Sequence, residues 1–120
     1  MKILQTLSRL YIPSLNPTLE FYEELLGTSA GMRFEIPQIG LELAQVGNIL
    51  LIAGSEEALK PFRATQATLL VDSIDEFKAF LEEKGAEIIR GPTEVPTGRN
   101  MTVKHPDGSI LEYVEHSKIE

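Results

Sequence analysis

Apolar and polar side chains alternate from residue 3 to residue 12, and a period of two predicts a strand. After Pro13-Ser14-Leu15 the period lengthens. Leu19, Tyr22, Leu25 and Leu26 recur at helical spacing, with Asn16 read as the cap, Pro17 as the first helical residue and Gly27 as the stop. Three short strands follow, Met32 to Ile36, Leu41 to Val46 and Ile49 to Ala53, and Ser55 to Lys60 forms a short helix or turn closed by Pro61. The same order then returns. Thr65 to Val71 is a strand, and Ser73-Ile74-Asp75-Glu76 is a capping box that opens a helix carrying Phe77, Phe80 and Leu81 inward as far as Gly85. Glu87 to Ile89, Met101 to Val103 and Ile110 to Val114 supply three more strands, with a Pro- and Gly-rich loop from Gly91 to Gly98.

The two halves are a repeat of about sixty residues. Gly47-Asn48-Ile49-Leu50-Leu51 aligns with Gly108-Ser109-Ile110-Leu111-Glu112 at an offset of 61, and Leu19, Tyr22 and Gly27 align with Phe77, Phe80 and Gly85 at an offset of 58. Each half reads strand, helix, strand, strand, strand. Neither is large enough to stand alone, so the expected architecture is one α+β domain of two modules, about 1–60 and 61–120, sharing a core.

Composition narrows the function. The 120 residues include 18 acids against 11 Lys and Arg, a formal charge of −7, which leaves no basic stripe for nucleic acid. There is no cysteine, hence no disulfide, thiolate nucleophile or Cys-based zinc site. No apolar run approaches the roughly twenty residues that span a bilayer, and no leader pattern opens the chain, so a cytoplasmic protein is expected.

Two stretches resemble the vicinal oxygen chelate superfamily, which includes glyoxalase I, bleomycin-resistance and extradiol dioxygenase-like proteins. The run Phe21-Tyr22 then Leu26-Gly27 looks like its first-helix signature, and His105-Pro106-Asp107-Gly108 followed by Glu112 looks like its closing one, with His105 where Asp is usual. The resemblance implies paired βαβββ modules, each giving a curved mixed sheet with the cleft inside the curve, and commonly a homodimer. It also implies one metal-ligand position on the first and last strand of each module; these fall on Leu7, Leu51, Gln66 and Glu112. Two leucines and a glutamine cannot replace a divalent ion's water shell, so no metal cofactor is expected.

If those four positions share the concave face, so do their neighbours two residues away. The concave set is then Leu7, Arg9 and Tyr11; Ile49, Leu51 and Ala53; Gln66, Thr68 and Leu70; and Ile110, Glu112 and Val114. Leu10, Ile12, Leu50, Ile52, Leu69, Val71, Leu111 and Tyr113 fall on the side under the helices. A mainly apolar hollow with a few polar groups suits a small molecule. Arg9, Tyr11, Gln66, Thr68, Met101 and Glu112 are the candidate ligand contacts, with Phe34 as a further lining residue. Glu112 is the candidate acid or base, and Arg9 is its partner or an anion receptor. His105 reads as a turn residue, and Arg90 and Arg99 as solvated. The expectation is a metal-free binder of a small, partly apolar molecule, like the drug-sequestering proteins of the family. The alternatives are a glyoxalase-type lyase, isomerase or epimerase working through Glu112, and a domain whose hollow is filled.

Overall fold

The computed structural model describes residues 1–117. The chain runs β1 (Ile3–Ile12), α1 (Leu15–Leu26), β2 (Met32–Ile36), β3 (Leu41–Val46), β4 (Ile49–Ala53), α2 (Glu56–Leu59), β5 (Thr65–Val71), α3 (Ile74–Glu83), β6 (Glu87–Val95), β7 (Gly98–Lys104) and β8 (Ile110–His116). The repeated strand, helix and three strands are thus present twice. Two compact units result, Ser8–Ala64 and Met1–Leu7 with Thr65 onward, so β1 is divided after Leu7.

In the Ser8–Ala64 unit the strand order is β2-β3-β4-β1, with β1 parallel to β4 and the others antiparallel. α1 covers one face. It starts two residues earlier than the Asn16-Pro17 signal suggests: Ser14 is the extended cap residue, and Asn16 accepts a hydrogen bond from Arg33 Nη2 across the helix–sheet interface. Leu15 is buried there, so the apolar anchor sets the start ahead of the local capping preference. Gly27, at φ 65°, ends α1 by donating to the carbonyls of Glu23 and Glu24, a left-handed turn that glycine takes without a Cβ penalty. α1 packs Leu15 and Leu19 on Ala44, Val46, Leu51 and Ala53, flanked by Leu10, Ile12 and Ile49.

This packing corrects the expected faces of β4. Leu51, Ile49 and Ala53 belong to the helix side, and Leu50 and Ile52 to the other. The cross-strand partners agree: Leu10 stands opposite Leu51 and Ile12 opposite Ala53, whereas Arg9 stands opposite Leu50 and Tyr11 opposite Ile52. The cause is the hairpins. Val46 and Ile49 pair across the two-residue turn Gly47-Asn48, while Val103 pairs with Leu111 around a longer turn through Pro106-Asp107-Gly108. Aligning the two turns on their glycines therefore slips the strands by one, and a slip of one exchanges the faces. By strand pairing, the counterpart of Glu112 is Leu50.

In the other unit the order is β1-β5-β8-β7-β6, with β5 and β8 parallel and β6, β7 and β8 an antiparallel meander. Lys2 N donates to Asp72 Oδ1 at 2.8 Å and Asp72 N to Lys2 O at 3.1 Å, which fixes the end of β5 to the start of β1. α3 packs Ile74, Phe77 and Leu81 on Leu69, Val71, Met101, Val103 and Tyr113. Its first turn is held from three directions. Ser73 Oγ accepts from Glu76 N, Glu115 Oε1 accepts from Ile74 N at 2.7 Å, and Arg99 grips Asp75 through two bonds of 3.1 Å. Arg99, read from sequence as solvated, thus anchors the helix.

The expected loop from Gly91 to Gly98 is instead mostly strand. β6 continues through Pro92 to Val95, opposite β7, with register shifts near Arg90 and between Arg90 and Thr93. Proline and glycine are compatible with an irregular edge strand, where fewer ladder bonds are needed. Gly91 sits at φ 87°, and a Cβ there would lie 2.6 Å from Asn100 O, so this position requires glycine.

The corrected face of β4 is testable. Leu51→Ala empties a fully buried site under α1 and should cost about 2–5 kcal/mol in equilibrium denaturation. Leu51→Glu, which copies the glycine-aligned partner Glu112, should prevent stable folding, whereas a Leu51→Glu protein as stable as the parent would place this side chain away from the helix.

Candidate functional site

In each unit the strands have one face under a helix and one without, and the helix-free faces hold the candidate residues. In the Ser8–Ala64 unit the paired residues Tyr11, Ile52, Leu43 and Phe34 form one row across four strands, and Arg9, Leu50, Gln45 and Met32 form the next. Phe34, Leu43 and Met32 are half-buried, while Leu50 and Ile52 are buried. The surface is mainly apolar; apart from Gln45 on β3, its polar groups gather at β1.

There Arg9 Nη1 donates to Tyr11 Oη at 2.9 Å, and Tyr11 Oη donates to the carbonyl of Phe62 at 2.5 Å. Phe62 ends the short 3-10 turn Lys60–Phe62 that follows α2, so the phenol ties that turn to β1. Arg9 and Arg63 both lie against the Tyr11 ring, their guanidinium carbons 5.8 and 5.7 Å from its centroid. Arg9 and Tyr11 are therefore brought together as their shared strand parity predicts. Arg63 has no cue in the sequence, because its place depends on the chain folding back after Pro61.

The second helix-free face has different chemistry. Thr68, Glu112, Thr102 and Arg90 occupy one row from β5 to β6. Thr68 Oγ1 donates to Glu112 Oε1 at 3.2 Å. Thr68 is only 2% exposed, so its hydroxyl orients the carboxylate from below, while Glu112 is half-buried. Gln66 is exposed and sits where the register shifts: Thr65 pairs with Ile110 and Ala67 with the very next residue, Leu111, leaving Gln66 as the extra residue of a bulge. Met101 does not join this face. It pairs with Tyr113 and is completely buried under α3, so its side chain packs in the core instead of lining a hollow.

Leu7, at the expected first-strand ligand position, is 2% exposed and hydrocarbon throughout. Among the described residues no three His, Cys, Asp or Glu side chains converge.

His105 opens the hairpin turn, its N–H bonded to Ser109 O at 2.8 Å and its carbonyl to Gly108 N at 2.9 Å. It also has a role the sequence does not reveal. Its Nε2 is 2.7 Å from Tyr113 Oη, which gives the buried phenol a polar partner.

Two βαβββ modules with helices on one face of their sheets define the class. A sequence model of the Glyoxalase/Bleomycin resistance protein/Dioxygenase superfamily matches residues 2–113. The chain belongs to that superfamily. Among solved structures it is similar to an uncharacterized protein from Methanosarcina mazei, 78% identical over 100% of this chain and 98% of that one, with a TM-score of 0.95. Methylmalonyl-CoA epimerase from Mycobacterium tuberculosis shares the fold at 18% identity, covering 97% of this chain and 90% of that one, with a TM-score of 0.73. A second methylmalonyl-CoA epimerase reaches a TM-score of 0.76 at 18% identity, with 97% of each chain covered. No curated protein matches the chain. No helix among the described residues is long and apolar enough to cross a membrane.

Burial holds the Tyr113 phenol above its ordinary value of 10.0. A group that binds its proton more tightly in the folded chain contributes stability that is complete below its unfolded pKa and fades as pH rises through its folded pKa. Denaturant midpoints measured upward from neutrality should therefore fall above about pH 10, and Tyr113→Phe should make that fall shallower. An unchanged alkaline limb in Tyr113→Phe would show that this phenol does not carry it.

Proposed function

We propose that this member of the superfamily works without a bound metal and binds a small, partly apolar molecule on the helix-free face of the Ser8–Ala64 unit. The observation that carries the reading is the contrast along that face. A half-buried apolar surface of Phe34, Leu43 and Met32, interrupted by Gln45, meets a fixed polar pair on β1, Arg9 bonded to Tyr11. Such a surface takes up an apolar body, and the polar group orients it.

The donor set argues against a divalent ion. Leu7 and Leu50, the corrected counterpart of Glu112, have no ligand atoms, Gln66 stands in a bulge, and Glu112 already accepts from Thr68. A structural or catalytic ion needs three or more good donors. The residues present do not fit one. A homodimer, common in the family, is compatible with this reading.

Glu112 supports a second reading. A half-buried carboxylate with one oxygen fixed by a buried hydroxyl is suited to move a proton next to a carbonyl, as a lyase, isomerase or epimerase requires. The epimerase likenesses, at 18% identity, supply fold alone.

Protein purified without chelator should contain far less than one equivalent of zinc, nickel, iron, cobalt or manganese by elemental analysis. Near-stoichiometric metal that is lost in Glu112→Gln would overturn the metal-free reading. The neutral probe 2-naphthol should raise the melting temperature in a saturable way, and Phe34→Ala should weaken that response several-fold. A hollow filled by its own side chains would give no response to any small molecule.

The catalytic reading has its own test. Solvent deuterium entering the α-position of methylmalonyl-CoA with wild-type protein but not with Glu112→Gln would establish proton transfer. Equal, background exchange in both would remove it.

A further inference from the structure

Arg63 is the least explained charge in the molecule. It is exposed, and it makes no hydrogen bond or ion pair among the described residues, although the chain holds 18 acids and only 11 Lys and Arg. With acids in excess, a guanidinium that meets no carboxylate forgoes an available attraction. Yet Arg63 is carried toward Arg9, both being within 6 Å of the same Tyr11 ring.

The backbone that presents it is held in place. Pro61 restricts the turn that precedes it, and the Tyr11 hydroxyl holds the carbonyl of Phe62, the residue next to Arg63, at 2.5 Å. Tyr11 therefore does two things at once: its hydroxyl anchors the backbone that presents Arg63, and its ring lies against both cations. A site whose charges are positioned before a ligand arrives loses less on binding.

We propose that Arg63, with Arg9 and Tyr11, forms a receptor for an oxyanion carried by the ligand, a carboxylate or a phosphate monoester. The apolar remainder of that ligand lies over Tyr11, Leu43 and Phe34, so the inference rests on the small-molecule reading given above and names its ligand class. Guanidinium groups offer forked N–H donors that match the two oxygens of a carboxylate or phosphate. The Tyr11 ring next to them suits an aromatic or unsaturated body, which stacks where the cations do not already lie. Arg63 is a ligand-contact residue in this assignment, and Tyr11 positions it.

Three probes with one apolar body separate the possibilities: 2-naphthol, 2-naphthoate and 2-naphthyl phosphate, titrated calorimetrically near neutral pH at low salt. Wild-type protein should bind at least one of the two anions tenfold or more tightly than naphthol, and the tighter of the pair identifies the anion. Arg63→Gln should erase the anion's advantage over naphthol, read as the ratio of the two affinities, while Arg63→Lys should keep part of it, since the charge remains and the fork is lost. Arg63 is exposed and unpaired, so both variants should keep the parent's circular dichroism and melting temperature. Anions that bind no better than naphthol, or an advantage that survives in Arg63→Gln, would overturn the receptor while leaving the small-molecule reading in place. No binding of any of the three would overturn both.

Discussion

The structure depends on strand parity under two helices. A strand residue can serve the helix side or the other, never both, and the pairing of β1 with β4 and of β5 with β8 settles the choice for every residue in the row. α1 demands apolar partners at Leu10, Leu51, Ala44 and Val46, and α3 demands them at Leu69, Tyr113, Met101 and Val103. Once those are committed, Arg9, Tyr11, Thr68 and Glu112 have no place except the opposite faces. The functional groups are thus placed by what the helices require.

A shared topology has not produced shared chemistry. The helix-free row Arg9, Leu50, Gln45, Met32 alternates polar and apolar side chains, whereas the corresponding row Thr68, Glu112, Thr102, Arg90 is polar from end to end. The helix sides differ much less, because packing under a helix tolerates only apolar side chains of suitable volume. Duplication therefore leaves the cores alike and lets the open faces diverge. The same asymmetry accounts for the mismatch of Leu50 with Glu112: the first has no solvent-facing chemistry to perform, and the second is supported by a buried threonine.

The fold was readable in the sequence because its signals are local. Helical spacing at Leu19, Tyr22 and Leu26, the Ser73 cap and the Pro106-Asp107-Gly108 turn each point to one element, and the order of elements repeats. The site was less readable, for physical reasons that differ by residue. Arg9 and Tyr11 were found because they share one strand face. The face of Leu51 was misassigned because it depends on how many residues the Gly47-Asn48 turn contains relative to its repeat, a difference of a single pairing step. Met101 was misplaced by the same kind of parity, since it stands opposite Tyr113 and not Glu112. Arg63 and the bond from His105 to Tyr113 depend on chain reversals that bring together residues 52 and 8 positions apart, and no local pattern records them.

The hydroxyl of Tyr11 connects these strands of argument. A phenol on an apolar face must find a polar partner or lose hydrogen-bonding energy of about 1–3 kcal/mol, and here it finds the carbonyl of Phe62. That bond closes the segment after α2 onto β1 and so sets where residue 63 emerges. Had residue 11 been phenylalanine, the face would keep its apolar character and Arg9 its strand position, but the turn Lys60–Phe62 would lose its tie to the sheet and Arg63 its fixed approach to the ring. A single oxygen atom thus ties the segment that presents Arg63 to β1, where the Arg9 and Arg63 guanidinium carbons both lie within 6 Å of the Tyr11 ring.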